Sequence, residues 1–492
     1  MEMAEAAAGA GTGGLEVAVF PWLAFGHMIP FLELSKRLAA RGHAVAFVST
    51  PRNLSRRPCR RTCPRTSASC RCRCRPWRAC RRAPRPRLTC LPSPDKVGLL
   101  KKAMDGLAGP LASFLADAVA AGRRPDWIIL DFCHHWVPPI ADQHKVPCAA
   151  FLIFHAAFMA FIGPRWANSV HPRTNPEDFT EPPKWIPFPS TTVFLHHEAR
   201  RMLADNFGEN ASGKSDTDRL WDVFERCRLT IHRSCRELEP RMFTLLSDLL
   251  RKPAVPAGIL LPGAPDDRDE DHRHSSSGGA DSHQILRWLD DQPPKSVIYV
   301  GLGSEAPLTL ENIHELALGL ELAGVHFLWA LRKPAGTNNK QELLPAGFEE
   351  RTQDRGVVCT GWVPQVKVVA HGATAAFLTH CGWGSTIESF GFGLSLVMLP
   401  FLTDTPMIAR AMAERGIGVL VPRDGSDGSF DRDGVVVAVR RVMSEHEGKV
   451  FATNAKKLKE LVVDERRQEQ YIHELEEHLR RYKDDRGSTS AS

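Results

Sequence analysis

At 492 residues the chain has room for two domains with full cores. Hydrophobic residues at 43% and charged residues at 24% are the proportions of an ordinary globular protein. The net charge of +6 suggests a nucleic-acid partner, but residues 56–90 alone hold thirteen Arg and no acid; the remainder is mildly acidic, which excludes a generally basic nucleic-acid-binding surface.

Met1 to Gly14 is rich in Ala and Gly and has no long apolar core, so it is expected to be a disordered leader rather than a signal peptide. Leu15 to Pro21 predicts a strand, Trp22 to Pro30 a loop, Phe31 to Arg41 an amphipathic helix stopped at Gly42, and His43 to Ser49 a second strand. This is a βαβ start, with a loop at the carboxyl end of the first strand, where open α/β sheets bind ligands. The dinucleotide pattern G-x-G-x-x-G is absent from this loop. His27, in that loop, caps or packs the helix in the bland reading and carries chemistry in the sharper one.

From Arg56 to Pro92 the sequence stops resembling a core: Arg, Cys, Pro and Ser dominate, with seven of the thirteen Cys. Zinc binding wants C-x-x-C pairs and His, and Cys70, Cys72 and Cys74 are spaced by two with no His nearby. An Arg-rich RNA-binding segment is a second reading. A shifted reading frame in GC-rich coding sequence is the third and explains the vocabulary best. Leu99 to Ala121 then predicts one helix.

Trp127 to Leu130 predicts a buried strand ending in Asp131, which either caps the next helix or serves a site. His134 and His135 are expected to be structural, since adjacent residues do not face the same way on a helix. Val146 to Pro164, the most apolar stretch, contains Pro147 and His155 and predicts a buried strand and a core helix rather than a membrane span. Trp166 to Phe207 is aperiodic and predicts surface loops. Leu220 to Arg228 predicts a helix and Leu229 to Ser234 a strand. Residues 256–283 are expected to be a linker, with little but Asp, Glu, His, Ser and Gly from Ala264 onward.

A second α/β unit begins at Gln284, with strands at Ser296–Val300 and Phe327–Arg332 around a glycine turn, Gly301 to Ser304, and a helix over Thr309–Ala323. The densest stretch runs from Trp362 to Thr405. Ala375 to Thr379 is a short apolar run of buried-strand length; His380-Cys381-Gly382-Trp383-Gly384-Ser385 breaks it with two glycines. Ser385 and Glu388 stand at capping-box spacing ahead of a helix. Strand, glycine turn and helix start make an anion site, because free backbone N–H groups and the helix dipole both favour a phosphate. Tyr471, Ile472, Leu475, Leu479 and Tyr482 form one apolar stripe on the last helix. The expected division is a leader at 1–14, an N-terminal domain at 15–255, the linker, a C-terminal domain at 284–465, a helix at 466–483 and a tail at 484–492.

The Trp362–Thr405 stretch resembles the plant secondary-product signature of family 1 UDP-glycosyltransferases: Trp362, Pro364, Gln365, His371, His380-Cys381-Gly382-Trp383, Ser385, Glu388, Pro400 and Asp404 match in order and spacing. Gly384 stands where the family usually has Asn, and Thr405 where it usually has Gln. P-W-L-A-F-G-H near the N-terminus and R-W-L-D-D-Q-P-P-K-S-V-I-Y-V further on resemble the branch that extends sugar chains on flavonoid, anthocyanin and terpenoid glycosides. The resemblance implies a GT-B fold, two doubly wound Rossmann-like domains facing a cleft, and inverting transfer of a hexose or deoxyhexose from a UDP-sugar. It makes His27 the general base that meets the acceptor and Asp131 the group that orients it. It places Ser304, His380, Cys381, Gly382, Gly384 and Ser385 at the diphosphate, and Trp362, Val363, Gln365 and Glu388 at the nucleoside. Trp383, Asp404 and Thr405 fall at the sugar. Glu388 serves either the ribose or the capping box. Thr405 either weakens donor binding or signals UDP-rhamnose in place of UDP-glucose. No metal or other cofactor is implied, and the chain is expected to be a cytosolic monomer. The competing reading is a non-catalytic protein of the same fold, disabled by the 56–90 segment and by Gly384 and Thr405.

Overall fold

The computed structural model describes residues 13–50, 71–76, 94–262, 279–303, 306–332, 343–444 and 446–484. Two parallel sheets carry the chain. The first has seven strands: β1 (Glu16–Phe20), β2 (Ala44–Ser49), β3 (Arg71–Pro76), β4 (Trp127–Leu130), β5 (Cys148–Leu152), β6 (Leu229–His232) and β7 (Ala254–Pro256), in the order β3-β2-β1-β4-β5-β6-β7. The second has six: β8 (Val297–Gly301), β9 (His326–Ala330), β10 (Gly356–Cys359), β11 (Thr374–Thr379), β12 (Ser395–Met398) and β13 (Gly418–Leu420), in the order β10-β9-β8-β11-β12-β13. Strands such as Trp-Ile-Ile-Leu in β4 and Val-Ile-Tyr-Val-Gly in β8 are buried along their whole length, as expected of parallel strands covered by helices on both faces.

Each sheet reverses its winding once. In the first the neighbours across the reversal are β1 and β4; in the second they are β8 and β11. The crevice beyond the carboxyl ends of such a pair is where open α/β sheets hold ligands. His27 and Asp131 follow β1 and β4; Gly303 and His380 follow β8 and β11.

Several sequence expectations need correction. The first helix spans Phe25–Ala40, not Phe31–Arg41. The N–H groups of His27 and Met28 both bond to Ala24 O, at 3.1 and 2.9 Å, and close the first turn ahead of Pro30. His27 therefore sits in a helical turn. The 99–121 helix is two, Pro94–Asp105 and Ala108–Ala120. Trp166–Phe207 is not mainly loop: it holds helices at Arg165–Val170 and His196–Met202, with single turns at Pro176–Phe179 and Leu203–Phe207. Its order comes from an aromatic cage rather than a helical stripe. The Arg173 guanidinium lies 5.1, 4.6 and 4.7 Å from the rings of Phe161, Phe179 and Trp185. Within the anomalous 56–92 segment, Arg71–Pro76 pairs with all six residues of β2 as the edge strand of the first sheet. A parallel ladder uses backbone groups, so an unusual composition does not bar it. The rest of that segment, the leader to residue 12, 263–278 and the last eight residues lie outside the described residues.

The last helix, Glu465–Tyr482, packs on the first sheet. Ile472, Leu475 and Leu479 join Val17, Val19, Phe31, Trp127 and Phe151 in one buried cluster. Trp127 Nε1 donates to Leu479 O at 2.9 Å, and Arg41 bonds to both Glu469 and Glu476.

Candidate active site

His27 Nδ1 and Asp131 Oδ2 are 2.8 Å apart. The histidine side chain is 15% exposed and the carboxylate 0%. Asp131 Oδ2 also accepts from Trp22 N–H at 3.0 Å, and Oδ1 from Phe132 N–H at 2.8 Å. Burial pushes the Asp131 carboxyl up. The His27 ring, by charge and by hydrogen bond, outweighs it with help from His134 and the Trp22 N–H, and holds the group below the usual carboxylate range. An ionised Asp131 fixes the proton of His27 on Nδ1 and leaves Nε2 as the basic atom. Phe132 and Phe154 flank the imidazole, with ring centroids 5.7 and 5.9 Å away. His134 is buried and stacks on Phe20 at 4.3 Å, and burial lowers its pKa to about 4. His135 lies against Arg219.

In the second half the chain leaves β11 through Cys381, whose φ is +63° and whose N–H bonds to Thr379 Oγ1 at 3.2 Å. Gly382 then caps a ten-residue helix, Trp383–Phe392. Ser385 is thus the third residue of the helix rather than its cap, and Glu388 lies in its interior, so the capping box does not form. Glu388 instead accepts from Gln365 Nε2 at 2.8 Å, with Ser385 Oγ 3.4 Å from the same nitrogen. Tyr299 OH reaches Gln365 Oε1 at 3.4 Å. Trp362, at the preceding turn, is half exposed, and Val363 partly so.

His380 is wedged between two glycines. A Cβ on Gly303 (φ +74°) would come within 2.5 Å of the imidazole, and one on Gly382 within 2.6 Å. Both positions must lack a side chain for the ring to sit where it does. Burial lowers the His380 pKa to about 4, so it is a neutral hydrogen-bonding group. Ser304 lies outside the described residues.

Of the three residues expected at the sugar, two are already engaged. Trp383 is 4% exposed, and its Nε1 donates to Arg233 O at 2.7 Å. Thr405 is 5% exposed; its hydroxyl donates to Leu402 O at 2.6 Å and accepts from Phe401 and Leu402 N–H. Its side chain therefore serves the turn. Asp404 precedes the helix Thr405–Glu414; burial raises its pKa to about 7 against bonds from its own and His155 N–H and the charge of His27. That last interaction links the two halves.

Sequence reasoning missed Phe132, Phe154, Arg233 and Tyr299. The first three stand just past the carboxyl ends of β4, β5 and β6, a position that could have flagged them.

Residues 278–467 match the family described as UDP-glucoronosyl and UDP-glucosyl transferase. UDP-glycosyltransferase 91C1 of Arabidopsis thaliana is 39% identical over 487 residues, 97% of this chain and 98% of its relative. The chain belongs to the plant family 1 UDP-glycosyltransferases. Soyasaponin III rhamnosyltransferase of Glycine max is 35% identical over 95% of this chain and 96% of that protein. The crystal structure of Os79 from O. sativa in complex with UDP superposes with a TM-score of 0.74 over 94% of this chain and 100% of the other, at 24% identity. The fold is GT-B, and the glycosyltransferase takes its sugar from a UDP-sugar donor. Among the described residues no helix is long and apolar enough to cross a membrane.

Proposed function

We propose that this glycosyltransferase moves a hexose or deoxyhexose, with inversion, to a sugar hydroxyl of a flavonoid or terpenoid glycoside. Residues 15–255 form the acceptor side and 284–465 the donor side. The contact that carries the reading is His27 Nδ1 to Asp131 Oδ2, 2.8 Å, at the reversal of the first sheet.

An alcohol is a poor nucleophile at neutral pH and needs a base within hydrogen-bond reach. His27 Nε2 takes the acceptor proton as the acceptor oxygen attacks C1 from the face opposite the diphosphate. The C1–O bond to the β-phosphate breaks, and UDP leaves with its electron pair. Asp131 holds the tautomer beforehand and stabilises the imidazolium afterwards, without accepting the proton. Phe132 and Phe154 wall the base with apolar surface suited to a flat aglycone. The donor lies on the second half: uracil on Trp362 with its polar edge at Val363 and Gln365, and ribose on Glu388. The diphosphate lies between His380 and the N–H groups of the Gly382–Ser385 helix start. The sugar lies near Asp404. Preorganised N–H donors meet the charge that develops on the leaving group.

A relative named for rhamnosyl transfer to soyasaponin III supports both a deoxyhexose donor and a terpenoid-type acceptor. The test is UDP release from UDP-glucose and UDP-rhamnose against a panel of flavonoid and triterpenoid glycosides and their aglycones. Turnover of glycosides over aglycones, abolished in His27→Ala, is the expected result. Preference for aglycones would reject the acceptor class, and full turnover in His27→Ala would reject the base.

A further inference from the structure

Arg233 follows β6 in the first half, yet its side chain ends beside the helix Trp383–Phe392 of the second. The residue is 2% exposed. Nε donates to Ile259 O at 3.0 Å and Nη2 to Leu260 O at 3.2 Å. Trp383 Nε1 donates to the Arg233 carbonyl, which fixes its backbone against the helix start. Nη1 makes no hydrogen bond among the described residues, and it is not fully enclosed: it opens toward the turn at Gly384. A Cβ on Gly384 would stand 3.5 Å from it.

This placement is costly for an empty site. A guanidinium and the N-terminus of a ten-residue helix are both positive, and burial removes the water that would screen them. Glu388 and Glu33 are the acids near enough to act on it. His380, at the same turn, is neutral. A buried cation with one unspent N–H pair, aimed at a helix N-terminus, calls for an anion between them. The one position where a side chain would intervene, 384, is glycine, where the family pattern usually places an amide side chain.

We propose that Arg233 is a diphosphate-binding residue of this enzyme, reaching across from the acceptor half through the space left by Gly384 and donating from Nη1 to a phosphate oxygen of the UDP-sugar. It takes over the contact that an Asn at 384 would make, and adds a full positive charge to it. The donor is thereby gripped by both halves. The proposal rests on the placement of UDP at this helix start.

Calorimetric titration of uridine, UMP and UDP into the intact chain and into Arg233→Lys, Arg233→Gln and Trp362→Ala separates the two ideas. Trp362→Ala is expected to weaken all three ligands alike. If it changes none, the placement of UDP fails. Given that it does, both Arg233 variants are expected to lower the ratio of UDP to uridine affinity, about tenfold or more for Arg233→Gln and less for Arg233→Lys. Adding Gly384→Asn to Arg233→Gln should restore part of the ratio, a rescue that a purely structural role would not produce. An unchanged ratio in a folded Arg233→Gln overturns the proposal while leaving the site intact. If Arg233→Gln does not fold, a crystal structure of the unaltered chain with UDP decides. Nη1 about 3 Å from a phosphate oxygen supports the proposal, and a phosphate seated beyond about 4 Å overturns it.

Discussion

Gln365 and Glu388 meet across the donor turn, Nε2 to Oε2 at 2.8 Å. One begins the helix after the Trp362 turn, and the other lies inside the helix that starts at Gly382. The bond fixes the two side chains in one orientation. Glu388→Ala should weaken UDP by about tenfold to a hundredfold, the worth of one or two hydrogen bonds to a charged group. Because Glu388 caps nothing, the melting temperature should change little. Titration calorimetry and a thermal melt on the same sample check both.

Asp131→Asn keeps the size of the side chain but cannot hold the His27 proton on Nδ1 in the same way. The expected fall in kcat is on the order of 10³–10⁴, by analogy with the same substitution in a Ser-His-Asp triad. UDP affinity, read by titration, should not move, since the Asp131 carboxylate is spent on His27 and on the Trp22 and Phe132 N–H groups.

Thr405 bears on donor choice differently from its position in the sequence pattern. Its hydroxyl makes three bonds within its own turn. Thr405→Val should cost about 1–3 kcal/mol of stability, from donors left unpaired. The ratio of turnover with UDP-glucose to turnover with UDP-rhamnose should stay constant. Denaturant melts and paired donor assays separate the two effects.

Asp404 has a raised pKa, from 3.8 to about 7, chiefly through burial. The folded chain keeps a proton there that the unfolded chain releases above pH 4. Stability contributed by this group is therefore full near pH 4, declines as pH rises, and is flat again above about 7. Asp404→Asn should unfold at similar urea to the parent at pH 4. At pH 8 it should be more stable, by up to the order of 4 kcal/mol for a shift of this size.

Leu475 is fully buried under the first sheet. Leu475→Ala should cost about 2–5 kcal/mol through the cavity it leaves. Limited proteolysis should then cut first in the acceptor half, although the substitution lies at the far end of the chain.

The strand, glycine turn and helix from Thr374 to Phe392 were legible because they lie consecutively in the chain. The βαβ start was legible for the same reason, as was the stripe on the last helix. The errors share a cause, the contest between local punctuation and tertiary context. Gly26 and Pro30 argue for a loop, but the turn closed on Ala24 lets the helix begin before them. Ser385 and Glu388 have capping-box spacing, but the chain has already entered the helix at Trp383. The Arg-Cys alternation of residues 71–75 has the period of a strand, a signal that composition hid. Arg233 was invisible because its partner helix lies about 150 residues away, at the Trp383 indole that donates to its carbonyl.

The strapping of the last helix onto the first sheet has a consequence for how the chain is made. Ile472, Leu475 and Leu479 complete a cluster whose other members come from the first quarter to half of the sequence. During synthesis the acceptor half emerges with that face uncovered, and it stays so while more than 200 further residues are added, on the order of tens of seconds at ordinary elongation rates. The residues made last shut the core begun first, so a ribosome that stops short of Glu465 releases an acceptor half with its apolar flank open to chaperones and proteases.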